Sequence, residues 1–233
     1  MSESKLKNIA VGKIVADDFR TSTVFKKAGI DFCCGGKQTF SEACKDKGIN
    51  ADELEDEINR IKDEPVSPGL NFIEWEPAFL CDYIINTHHK FVLKNLPDLV
   101  FYTSKIATVH GDHHPELVKV ANLFDKINTE LLQHLKNEEE VLFPAIKEVI
   151  ASGSEEAKNT IKSEIERMLG EHDFAGSSMD EINKITSNYK LPDDACNTYQ
   201  VTFNLLGKFE DDLHIHVHLE NNILFDKALK LVK

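Results

Sequence analysis

The chain has 233 residues, 41% hydrophobic and 29% charged, which is ordinary globular content and enough for one sizeable core plus a small accessory domain. Its formal charge of −13 opposes binding to a phosphate backbone, and no block of Lys and Arg offsets it, so nucleic acid is not an expected partner. There is no run of about 18 apolar residues and no signal-peptide core in "MSESKLKNIAVGKIVADDF", so a soluble, cytoplasmic chain without a membrane partner is expected.

The first residues with helical patterning run from Phe19 to Lys27, stopped by Gly29. A second segment spans Gln38 to Lys47, stopped by Gly48, and a third Ala51 to Asp63, with Leu54, Ile58 and Ile61 on one face. These make a small helical domain over residues 1–64. Prolines and a glycine in "KDEPVSPGL" place a linker at 65–70. The remainder, 71–233, holds four long periodic stretches: Glu74 to Thr108, Pro115 to Ile150, Glu155 to Tyr189 and Asp193 to Lys233. Turn chemistry at "HGDHHP", "ASGS" and "NYKLP" separates them. The pattern predicts an all-α protein in which a small N-terminal helical domain precedes an up-down four-helix bundle, with a kink near Pro97. "LHIHVHL" at 213–219 alternates like a strand, but no other segment offers it a partner and helical spacing runs through it.

Two segments repeat one frame. "HLKNEEEVLF" begins at His134 and "HVHLENNILF" at His216, and each places a glutamate four residues after its histidine, at Glu138 and Glu220. Residues four apart share a helix face, and here that face also carries Ile127, Leu131 and Leu142, or Phe209, Leu213 and Leu224. His172 lies with Ile165, Met168 and Met179, and His89 with Ile85, Val92 and Leu96, whereas His88, His214 and His218 are expected to turn away, the last two toward water. A single inward histidine is commonly a satisfied core residue. A buried carboxylate, however, costs several kcal/mol unless neutralised, hydrogen-bonded or bound to a cation. Two such carboxylates with four histidines on four helices point to a pair of metal ions in the bundle core. Four imidazoles and two carboxylates without thiolate suit iron or manganese better than structural zinc, with iron first.

Five cysteines, two of them adjacent, do not make a disulfide framework and fit a reducing compartment. Cys33 and Cys34 lie between Phe32 and the pair Gly35 and Gly36, a setting for a reactive thiolate or for a buried pair packing a small domain. Cys44, Cys81 and Cys196 are expected to pack, and His110 to be a turn or outer-sphere residue.

The segments "DFCCGGKQTF", "VHGDHHPEL", "HLKNEEEVLFP", "GEHD" and "HLENNILF" together resemble the iron-sulfur cluster repair di-iron proteins, a family with a paired-cysteine domain and a hemerythrin-like bundle. The resemblance implies a non-haem di-iron centre at His89, His134, Glu138, His172, His216 and Glu220. It also implies repair of clusters damaged by nitric oxide or oxidants, a thiol site at Cys33 and Cys34, and damaged iron-sulfur proteins as partners. Nitric oxide or oxygen would be the small ligands. Asn137-Glu138-Glu139-Glu140 departs from the family's usual Lys-Glu-Glu, which makes Glu139 a rival to Glu138, as His88 is to His89. Iron supply and nitric oxide reduction need the same ligands and stay open, as does assembly as a homodimer. A hemerythrin-like oxygen or nitric oxide sensor is the second reading, and a metal-free interaction protein the third.

Overall fold

Local chemistry sets the first helices of the structure, a computed structural model that describes residues 5–63 and 68–233. Helix α3 (Phe40–Lys47) opens on a capping box, in which the Glu42 carboxylate accepts the Thr39 amide at 3.0 Å while the Thr39 hydroxyl accepts the Glu42 amide. It closes on Gly48 at φ 66°, a left-handed cap that a side chain would strain. Helix α4 (Ala51–Lys62) buries Leu54 and Ile58. Before these come α2 (Ser22–Lys27) and α1 (Val11–Asp17), whose Val11, Ile14 and Val15 are buried. The sequence reading missed α1, because seven residues give too few periods to register. Residues 65–67 of the expected linker lie outside the described residues.

The chain is all-α, and no strand occurs among the described residues, only an isolated bridge between Ala10 and Thr39. "LHIHVHL" falls within a helix. The long stretches become α5 (Pro77–Ile84), α6 (Lys90–His110), α7 (Glu116–Asn137), α8 (Phe143–Ser152), α9 (Glu155–Ile185), α10 (Asn197–Leu219) and α11 (Phe225–Leu231). Three of their junctions are single-turn π segments rather than loops: Ile85–His89, Glu138–Leu142 and Glu220–Leu224. Helix α9 stops before the expected Tyr189, since Ser187, Asn188 and Tyr189 all take positive φ.

By contacts the chain divides into two units, one of residues 1–80, 215–231 and 233, the other of 81–214 and 232. In the second unit α6 packs on α7, α7 on α9 and α8 on α9. Phe209 joins α10 to this group through the rings of Phe91 and Phe124. In the first unit α3 and α2 pack on α4, and α1 packs on the Glu220–Leu224 segment.

Candidate metal centre and thiol loop

In the second unit the histidine ring nitrogens converge on one carboxylate. Glu138 Oε2 lies 3.3 Å from Nε2 of both His89 and His134, and His172 Nε2 lies 3.1 Å from His134 Nε2. All four side chains are buried. The donor atoms of His134, Glu138 and His172 fall within 4.8 Å of one another, a group that could hold a metal ion.

Outer carboxylates decide which nitrogen faces inward. His89 Nδ1 donates to Glu139 at 2.8 Å, and His134 Nδ1 to Glu171 at 2.7 Å. A proton held on Nδ1 leaves the Nε2 lone pair toward the interior, the tautomer that ligates metals. The His134 hydrogen bond pulls the Glu171 carboxyl below its usual range despite partial burial. Neither oxygen of Glu138 accepts a hydrogen bond. A buried carboxylate faced by imidazole lone pairs is costly alone and is relieved by a cation, so these residues fit a metal.

Single-turn π segments fall at the candidate positions in each unit. Each adds a residue to one turn, and wide turns of this kind recur at functional sites. One begins at Glu138, one begins at Glu220 and one ends at His89. Periodicity alone carries no mark of them.

In the first unit His216 Nε2 meets Glu220 Oε1 at 3.0 Å, both buried, which matches the His134 and Glu138 spacing. His218, expected toward water, is fully buried. Its ring packs on Phe19 and Phe32, and burial pushes it down to about 4, so it is neutral. Asn222 Nδ2 donates to His218 Nδ1 at 3.0 Å, to the Phe32 carbonyl at 3.1 Å and, more weakly, to the Cys33 carbonyl at 3.4 Å. Gly12 and Gly36 admit this amide: a Cβ on Gly12 would overlap it, and one on Gly36 would stand 3.0 Å from Asn222 Oδ1.

The thiol loop itself turns on Asp31, which sequence reasoning passed over. Its carboxylate accepts the amides of Cys33 at 2.8 Å and Gly35 at 2.7 Å. Cys33 is buried and Cys34 half-buried, with their sulfurs 3.9 Å apart. The hydrogen bond with Cys34, burial and the nearby Asp31 carboxylate hold the Cys33 thiol well above its usual range.

The other expected residues lie elsewhere. His88 Nδ1 donates to Asp212 at 3.0 Å. Glu139 is 37% exposed in its side chain and serves His89 from outside. Cys44 and Cys81 are buried, but Cys196 is exposed at the start of α10, where His110 Nε2 lies 3.2 Å from its sulfur. That contact lowers its pKa, aided by the Tyr199 and Thr198 amides. Packing therefore does not describe Cys196.

These features are those of a helical bundle built for cations, and comparison with known families agrees. Residues 82–228 match the hemerythrin HHE cation binding domain, and residues 7–62 match ScdA_N, a domain of unknown function. The iron-sulfur cluster repair protein ScdA of Staphylococcus haemolyticus is 32% identical over 217 residues, 93% of this chain and 96% of that protein. The iron-sulfur cluster repair protein YtfE of Pectobacterium atrosepticum is 34% identical over 224 residues, 95% and 96% respectively. The chain belongs to the hemerythrin-like iron-sulfur cluster repair family.

Proposed function

We propose that this protein repairs iron-sulfur clusters damaged by nitric oxide or oxidants, by supplying or mobilising iron from a resident pair of iron ions. The observation that carries this is Glu138: a buried carboxylate without a hydrogen bond, faced by Nε2 of two histidines whose other nitrogens are tied to carboxylates. His89, His134, Glu138 and His172, with His216 and Glu220 of the repeated frame, are the residues that would hold the two ions. A bound iron pair supplies exchangeable positions and redox capacity. Glu139 and Glu171 hold protons on Nδ1 and so keep the inner nitrogens available.

The damaged iron-sulfur protein is the partner we infer, the cytoplasm its compartment, and Cys33 and Cys34 the thiols that pass iron or a nitrosylated species. No described helix is long and apolar enough to cross a membrane. The test mixes a nitric oxide damaged iron-sulfur enzyme with iron-loaded wild type or with Cys33→Ser/Cys34→Ser carrying the same iron. Recovery with wild type and loss with the double variant is expected. Equal recovery removes the thiols from the mechanism. No recovery from either favours an oxygen or nitric oxide sensor.

A further inference from the structure

We propose that Asp31, Cys33 and Cys34 form a second metal site, a mononuclear one that takes a divalent transition-metal cation such as ferrous iron. The inference rests on the thiol reading above and adds what the thiols hold and which carboxylate completes them.

The geometry of the loop carries it. Asp31 Oδ1 and the two sulfurs all lie within 4.8 Å of one another. A metal-thiolate bond is about 2.3 Å, so two sulfurs on one tetrahedral ion stand about 3.8 Å apart. Cys33 and Cys34 stand at 3.9 Å without one. Both are free thiols, not joined as a disulfide. Cys33 Sγ lies 3.1 Å from Asp31 Oδ1 because its thiol proton is shared there. With an ion in place of that proton the pair would open to about 3.5 Å, a small side-chain adjustment. Two thiolates and a carboxylate offer three negative charges, and repulsion among them is what a dication removes.

The loop is held in this form before any ion arrives. Asp31 accepts two loop amides through both of its oxygens, while Asn222 grips the Phe32 and Cys33 carbonyls from outside. A protein site that need not reorganise loses little on binding. Three protein ligands leave one position of a tetrahedral ion open, as in exchangeable rather than structural sites. The reaction balances as two thiols and one carboxylate plus a dication giving the bound ion and two released protons. No redox partner is required.

Cobalt(II) is the probe, because sulfur ligation gives a thiolate-to-cobalt charge-transfer band that nitrogen and oxygen ligands do not. The full chain carries Cys196→Ser, which removes the exposed thiol beside His110, and its bundle iron is measured first. One equivalent of cobalt should produce the band and release two protons per ion. Cys33→Ser and Cys34→Ser should each abolish the band. Asp31→Asn, whose amide oxygen can still accept the Cys33 amide, should weaken cobalt at least about tenfold with the helical ellipticity unchanged. Cys34→Ser keeps Asp31, so loss of its band does not depend on the Asp31 variant folding. Absence of the band in the Cys196→Ser chain overturns the site. Equal affinity in Asp31→Asn overturns the carboxylate as ligand. A bundle without iron would instead count against the proposed function, and that is read before cobalt is added.

Discussion

The two repeated frames share an inner face and differ on the outer one. At 134–143 the residues turned away from the centre, Lys136 and Glu140, are exposed. At the matching positions of 216–225 stand His218, fully buried, and Asn222, whose amide grips the Cys33 loop. One frame therefore carries contacts on its inner face alone, while the other also seats the thiol segment on its back. The lesson is that a helix can be packed on two faces when its outer residues are neutral. His218 fits that requirement because burial pushes it down to about 4 and leaves it uncharged.

The inner face should respond alike in both frames and most strongly of all. Glu138→Ala and Glu220→Ala are each expected to strip iron and lower Tm by about 10 °C in iron-loaded protein, because metal binding adds to folding stability. Glu138→Gln in metal-free protein should cost nothing or stabilise slightly, since it removes a buried charge without a hydrogen bond. Calorimetry with and without iron reads both effects. Metal-free Glu138→Gln losing as much as the loaded form would show a structural carboxylate, not a ligand. Glu139→Ala and Glu171→Ala come next, with iron affinity expected to fall about 10–100-fold while saturating iron still fills the site.

This second pair shows where the sequence was legible. The frames could be read because positions four apart share a face, so that period alone brought His134 to Glu138 and His216 to Glu220. Glu139 was visible only as a rival ligand, and Glu171 drew no notice although it precedes His172, because their partners sit on other helices. His218 was misassigned for a related reason. It lies about 200° from His216, where an amphipathic helix would meet water, but this one is covered on both sides. Asp31 belongs to the same class, since its role needs a turn that brings a side chain back to the amides two and four residues on.

The outer face gives the sharper contrast. Asn222→Ala should cost about 1–2 kcal/mol, through a lost hydrogen bond to His218 and to the loop carbonyls, and should raise the alkylation rate of Cys33 severalfold. Glu140→Ala, at the equivalent position, should change neither. Iron content should stay at wild-type level in both. Equal thiol reactivity in the two variants would mean that the outer faces do not differ in the way the contacts indicate.

The smallest effect expected is at the turn between α6 and α7, remote in sequence from both frames. His114 Nε2 lies 3.0 Å from Asp194 Oδ1 and its Nδ1 3.2 Å from Glu116, and the Asp194 hydrogen bond is the main cause that raises the His114 pKa. A raised folded-state pKa means stability that is fully present below the unfolded value of about 6.5 and lost as pH climbs through the folded value. Removal of Asp194 should therefore matter in mild acid and not in alkali. The pair is solvent-accessible, so screening keeps the effect small, roughly 1–2 °C in Tm. Wild type and Asp194→Asn should differ by that amount near pH 6 and converge by about pH 9. A gap that is constant, or that widens with pH, would show that Asp194 acts through the backbone of its turn and not through the charge on His114.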